Sequence, residues 1–401
     1  MSLHHGRTIL AIPGPSVMPE RVIRAMHRAS PNIYEGEMID MTATILPDLK
    51  KVARTSGNVA IYIGNGHSAW EASINNTLNK GDKVLVLGTG RFGPGWGDMG
   101  KSLGIDVELM DFGMHSDADP ARIYERLRAD KSNEIRAVLT VQTDTASSVQ
   151  NDIPAIRKAI NDANHPALFM VDCIASLGCE PHEMDQWGVD VMVSACQKGL
   201  MTPAGLAFVF FNEKAQKARK LVHPSLYWDW TTRANPDVYY QHFGGTAPTH
   251  HLYALREALD MIVHEEGIEN VWARHETFAN AIWAAIDAWG DTGTMWHNIK
   301  SHSKRSRGVS SVQTTPDVGG ILRHDCEFLA GVTLGIGLGM AQPNTPEYAQ
   351  YFRIGHMGHL NVHMVMGTLG AIDFSLKRNN IPHGDGALAA AAKVMADHNF
   401  N

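Results

Sequence analysis

An α/β fold, with a mostly parallel, doubly wound sheet in a large domain and a smaller α+β domain after it, follows from three features of this 401-residue chain. Short β-branched apolar runs recur along its first part. Longer stretches with helical spacing separate them, and such alternation covers a parallel sheet with helices on both faces. After about residue 255 the alternation stops and long helical stretches take over.

Strands are expected at residues 59–63, 83–87, 107–110, 137–141, 168–171, 189–193 and 206–210, where the chain is rich in Val, Ile, Leu and Phe. Helical spacing marks 69–78, 121–128 and 153–163 between them. Beyond lie helical stretches at 255–264 and 271–289, a polar and less regular run at 298–308, a strand at 309–314 and a helix near 363–376. The expected organisation is an N-terminal arm, 1–18, associated with the small domain, a large domain, 19–260, and a connecting helix with the small domain, 261–401.

Composition narrows the function. The formal net charge is −7, from 35 basic and 42 acidic side chains, and the longest basic cluster is Lys304-Arg305-Ser306-Arg307. No nucleic-acid partner is expected from that. The longest apolar stretches, such as 206–211 and 330–341, are too short for a bilayer, and the N-terminus lacks a signal-peptide pattern, so a cytoplasmic protein is expected. Four cysteines show no paired metal spacing and 21 histidines form no His-Glu-x-x-His set, so no metal is expected.

In open α/β sheets ligands bind outside the carboxyl ends of the strands, which directs attention to the loops there. Gly64-Asn65-Gly66-His67-Ser68 follows one strand and leads into a helix. Small residues at a helix N-terminus let backbone N–H groups approach an anion, although many such turns use glycine only for its backbone freedom. Gly88-Thr89-Gly90-Arg91-Phe92-Gly93 offers an aromatic ring framed by glycines, suited to stacking on a planar group or to filling the core. Gln142-Thr143-Asp144-Thr145 follows a third strand and can hydrogen-bond a ring oxygen.

Asp172 ends a fourth strand, and Lys198 follows the next in Ser194-Ala195-Cys196-Gln197-Lys198-Gly199. Alone, each has a bland reading: a solvated surface lysine and a capping aspartate. Together they have the chemistry required by pyridoxal 5'-phosphate, whose aldehyde needs a lysine for a Schiff base and whose ring nitrogen needs an acid to stay protonated.

With these residues in order, the chain resembles the class V, fold-type I aminotransferases, close to the alanine–glyoxylate, serine–glyoxylate and serine–pyruvate group. The matching segments are Ala11-Ile12-Pro13-Gly14-Pro15-Ser16, Gly66-His67, Trp70-Glu71-Ala72, Gly90-Arg91-Phe92-Gly93, Asp172-Cys173-Ile174-Ala175-Ser176-Leu177-Gly178, Gln197-Lys198-Gly199, Thr246-Ala247-Pro248 and Phe352-Arg353-Ile354-Gly355-His356-Met357-Gly358. They span nearly the whole chain.

The resemblance implies a fold-type I transferase that uses pyridoxal 5'-phosphate, with Lys198 as the catalytic lysine and Asp172 on the ring nitrogen, where burial beside a cation would keep it ionised. It also implies Phe92 on the ring face, Thr145 on the ring-oxygen side, and Asn65, Gly66, His67, Ser68 and Gln197 around the phosphate. Thr246 matches a position that reaches the phosphate from the other subunit, implying a homodimer with shared sites. Phe243 falls where relatives often carry tyrosine and lacks its hydroxyl. Arg353 would hold the substrate carboxylate with its guanidinium fork. Gly14, Tyr34 and Glu35 are the further substrate-side residues, and Pro31-Asn32-Ile33-Tyr34-Glu35 departs from a His-Arg-Ser-Pro-like run in serine–glyoxylate relatives.

The implied reaction is amino transfer from alanine or serine to glyoxylate or pyruvate. Pyridoxamine–pyruvate transamination is an alternative, against which the intact Gly66-His67-Ser68 turn speaks. A non-catalytic binding protein of this fold is another, disfavoured because lysine and aspartate are both retained. Cysteine desulfuration would need a mobile thiol, and Cys326, expected at a helix start among acidic neighbours, reads as structural.

Overall fold

In the computed structural model, which describes residue 3 and residues 5–398, the chain forms two main sheets joined by a long helix, with a small two-stranded sheet of Thr143–Asp144 and Val149–Gln150. The strands are β1 Ile9–Ala11, β2 Asn58–Gly64, β3 Lys83–Gly88, β4 Asp106–Asp111, β5 Ile135–Val141, β6 Thr143–Asp144, β7 Val149–Gln150, β8 Leu168–Asp172, β9 Val191–Ala195, β10 Gly205–Phe211, β11 Met295–His297, β12 Val309–Thr314, β13 Val332–Ile336 and β14 Tyr351–Gly355. The large sheet has the order β2-β10-β9-β8-β5-β3-β4. Within it β10 runs antiparallel to both neighbours and the rest share one direction.

Side-chain period sets this sheet between two cores. Leu85 and Leu87 of β3, Phe169 and Val171 of β8, and Phe208 and Phe210 of β10 enter one apolar cluster. Their alternating neighbours Val84, Val86, Leu168, Met170, Ala207, Val209 and Phe211 enter the other. Continuous apolar runs are the sequence signature of such two-sided burial. The second sheet, β1-β13-β14-β12-β11, packs a separate core in which Val312, Phe352 and Ile354 meet Phe278, Ile282 and Leu369 from its helices.

Several element boundaries differ from expectation. The helix expected at 69–78 starts at Gly66, because Asn65 caps it by accepting from His67 N at 3.1 Å, and it ends at Asn75; two helices not expected, Glu20–Met26 and Glu37–Ala53, precede it. The strand expected at 189–193 forms at Val191–Ala195. The stretch 255–264 is α-helical only to Leu259 and then continues as a π-helical segment, Asp260–Glu266. Cys326 sits in the second half of helix Val318–Ala330, not at its start, and is fully buried. Among the described residues no helix is long and apolar enough to cross a membrane.

The N-terminal arm links the two sheets. Strand β1 pairs in parallel with β13, in register Ile9↔Val332, and the chain then crosses toward the edge of the large sheet where β2, β5, β8 and β9 end. Gly355, the last residue of β14, lies against the backbone of Ile12 and Pro13, and a methyl group there would overlap the Ile12 carbonyl. Gly355→Ala is therefore expected to destabilise by about 1–3 kcal/mol through overpacking. Gly370→Ala, in helix Val362–Arg378 with open space around it, is expected to be neutral or slightly stabilising. Denaturant unfolding of the two variants checks the contrast, and equal stabilities would show that the arm is not held tightly there.

Candidate active site

Because those strands all end along one edge, the loops after them meet in a cavity of about 310 Å³, lined by Gly14, Asn65, Gly66, His67, Trp70, Phe92, Thr143, Thr145, Asp172, Ile174, Gln197 and Lys198, among others. Asp172 enters from the end of β8 and is 2% exposed. Its Oδ2 accepts from Trp70 Nε1 at 2.8 Å and its Oδ1 from Ile174 N at 2.7 Å. Burial pushes its carboxyl up to about 7 against the pull of those two donors, while Asp144 raises it further and Lys198 lowers it. This corrects the expectation that burial helps to keep Asp172 ionised. The charge needs a cation against it.

Lys198 stands in the short connection between β9 and β10. Its ammonium donates to Pro13 O, and the Ser16 hydroxyl donates to Lys198 O at 2.7 Å. Burial pushes the amine down to about 8; Arg353 lowers it as well, and Asp172 works in the opposite direction. Gly14, at φ +108, passes so close to Lys198 that any side chain would collide with the amine. Only glycine combines that backbone angle with that approach.

At one end of the cavity lies the N-terminus of helix Gly66–Asn75, with its partial positive charge; of its first-turn N–H groups, His67 N is held by the Asn65 side chain and Ser68 N by the Asn65 carbonyl. The Ser68 hydroxyl donates to Asn65 O at 2.6 Å and does not line the cavity. Gln197 has a buried Oε1 without a hydrogen-bond partner. Half a turn of that amide would present its NH₂ group there instead. Phe92 lines the wall, its ring 6.3 Å from that of Trp70 in an edge arrangement.

Arg353, from β14, is 5% exposed and adjoins the cavity through Thr145. Its Nε donates to Ile336 O at 2.6 Å and its Nη1 to Thr145 O at 2.7 Å, which fixes the guanidinium plane. Burial lowers its pKa to about 10 while Asp144 raises it, so it stays cationic at neutral pH.

The other candidates lie outside this chain's cavity. Phe243 is fully buried beside the Tyr239 ring, and Thr246 is exposed just before helix Thr249–Leu259. Tyr34 is 80% exposed, and Glu35 is exposed with a long 3.4 Å contact from Asn32. Trp70 was visible in the sequence only as part of a matching segment; its role as the indole donor to Asp172 depends on the fold. Cys326 is no nucleophile, since burial first and Asp325 second push its thiol up to about 12. Among the described residues no three His, Cys, Asp or Glu side chains are grouped to hold a metal ion.

Comparison with known proteins adds three findings. Residues 13–322 match the family model "Aminotransferase class-V". The chain is 37% identical to the serine–glyoxylate aminotransferase of Methylorubrum extorquens, over 98% of this chain and 97% of that one, and 34% identical to the L-aspartate–glyoxylate aminotransferase of Paracoccus denitrificans, over 95% and 94%. Among solved structures it superposes on the pyridoxamine–pyruvate aminotransferase of Mesorhizobium loti with a TM-score of 0.88 at 25% identity, covering 99% of this chain and 100% of the other.

The amine of Lys198 is expected to react with an acylating reagent in the ligand-free protein with a midpoint near pH 8, since only the unprotonated form is nucleophilic. Ordinary lysines titrate near about 10.4. Asp172→Asn removes an attraction for the ammonium and should move the midpoint lower still. A midpoint in the ordinary lysine range, read by peptide mass spectrometry against pH, would contradict the burial described above.

Proposed function

The chain belongs to the class-V aminotransferases, and from that premise we propose that it moves the amino group of a small amino acid, serine or alanine, to a small 2-keto acid, glyoxylate or pyruvate. The observation that carries this reading is the burial of Lys198 and Asp172 in one cavity, next to a helix N-terminus and a fixed guanidinium.

The cavity fits pyridoxal 5'-phosphate, the cofactor of this family. Asp172 is a buried carboxylate with two donors and, among the described residues, no cation in hydrogen-bond contact, suited to a protonated ring nitrogen. The N–H group of Gly66, the amide of Gln197 and the nearby Asn65, His67 and Ser68 would receive the phosphate, the His67 N–H once the Asn65 side chain that caps it turns aside. Phe92 would cover one ring face and Thr145 would bond the ring oxygen. When bound, the cofactor supplies the electron sink that lets a proton leave the carbon bearing the amino group.

The chain's own residues do the rest. Lys198 would hold the cofactor and, once its amine is released, would take the proton from Cα of the substrate and deliver it to the carbon on the other side of the transferred nitrogen, for which an amine near pKa 8 is a competent base at neutral pH. Arg353 receives the α-carboxylate of amino acid and keto acid alike, with two of its nitrogens already anchored on backbone carbonyls. Gly14 and Pro15 close over the lysine and limit water. Donor and acceptor then share one site in alternation.

A homodimer with shared sites is part of the proposal. Ile63, Leu226, Tyr227 and Tyr240 are exposed apolar side chains in the neighbourhood of exposed Thr246. A second copy over that surface would bury them and carry Thr246, Tyr34 and Glu35 toward the neighbouring cavity. The four cysteines are unpaired thiols, which supports a reducing compartment such as the cytoplasm.

Half-reactions test the function: the holoenzyme is mixed with amino acids one at a time and the absorbance of the bound cofactor is followed. Serine or alanine should convert it and glyoxylate or pyruvate should restore it; reaction with pyridoxamine alone would overturn the reading. Arg353→Lys should raise KM for donor and acceptor together by about tenfold or more, because a point charge cannot make two parallel hydrogen bonds. Unchanged kinetics would move the carboxylate site elsewhere.

Glu35 is proposed to disfavour dicarboxylic donors by meeting their distal charge at the site entrance. Glu35→Gln should then narrow the gap in kcat/KM between alanine and aspartate. An unchanged ratio would remove this loop from the site.

A further inference from the structure

Asp144, one residue before Thr145, is fully buried, and its carboxylate serves two loops at once. Its Oδ2 accepts from Phe92 N at 2.7 Å and its Oδ1 from Ala146 N at 2.9 Å. No lysine, arginine or histidine among the described residues forms an ion pair with it. Gly90 packs so tightly on the carboxyl group that any side chain there would overlap it. The loop after β3 and the loop after β5 are thereby pinned to each other through one side chain.

Each loop carries a wall of the site. Phe92, from the first, lines the cavity. Thr145, in the second, both lines the cavity and supplies the carbonyl that fixes Arg353 Nη1. We propose that Asp144 is a positioning residue for substrate recognition: it sets the position of the Thr145 carbonyl, and through it the guanidinium of Arg353, relative to Phe92. The proposal rests on the reading of Arg353 as the carboxylate site.

The residue type follows from the backbone N–H donors it meets, to which Arg91 and Ser147 add their pull. A carboxylate accepts on both oxygens, whereas an asparagine side chain offers one acceptor and must turn its NH₂ group toward a backbone N–H. Asp144→Asn therefore keeps the shape and loses one of the two ties. Gly90→Ala disturbs the carboxylate from the other side and leaves its charge in place.

The test compares alanine with ethylamine, the same amine without a carboxylate, as donors in the half-reaction, and uses lactate as an unreactive carboxylic acid. In both variants the ratio of rate constants, alanine over ethylamine, should fall by about tenfold and the inhibition constant of lactate should rise by a similar factor. Amide hydrogen exchange of the cofactor-free protein should quicken together in residues 90–93 and 144–147. Parental ratios and lactate inhibition, or loss of both amines in equal proportion, would overturn the proposal. If the parent neither transaminates nor binds lactate, the functional reading has failed instead; exchange then decides the structural part, and unchanged rates in Asp144→Asn and Gly90→Ala would refute the tie itself.

Discussion

Two ionisable groups of opposite sign are buried in one cavity, and the rest of the structure keeps them there. Away from water, the carboxyl of Asp172 is pushed up to about 7 and the amine of Lys198 down to about 8. Each shift disfavours charge, and each is opposed only weakly by the other group. Such a pair is a poor device for stability and a good one for chemistry. Near neutral pH the amine can lose its proton, and the carboxylate is poised to gain a cation.

The topology explains how the pair is brought together. Asp172 ends one strand, Lys198 follows the next, and the parallel arrangement of β8 and β9 places both on the same edge. Trp70, from the helix that follows β2, reaches over to hold Asp172. The arm that begins with β1 in the small sheet crosses to that edge and covers Lys198 with Pro13 and Gly14. Arg353 comes from β14 of the same small sheet, so any shift between the two sheets would alter the distance from carboxylate fork to amine. The site is in this sense a joint property of both sheets.

Much of this was legible in the residues. The strand ends are marked by β-branched runs that stop at Gly64, Gly88, Val141 and Asp172, and the chemistry of an aldehyde cofactor selects Lys198 and Asp172 from the loops that follow. What stayed hidden depended on contacts distant in sequence. The strands β1, β13 and β14 are short, and β1 pairs with a strand more than three hundred positions away, so no local period announces them. The Trp70 indole on Asp172 spans a hundred residues, and the two ties of Asp144 require the loop after β3 to lie beside the loop after β5. Boundaries moved where a cap or a change of helical type intervened, as at Asn65 and Leu259. Tyr34 and Glu35, assigned through resemblance, lie on the surface of the single chain, and their part in a site depends on a second copy.

Lys198 is the lysine placed to hold the cofactor, in the cavity beside Asp172. Reduction of the holoenzyme with borohydride, followed by proteolysis and mass mapping, reads this out. One modified peptide is expected, carrying the reduced pyridoxyl group on Lys198. A label on another lysine, or a fully active enzyme in which none is fixed, would contradict it.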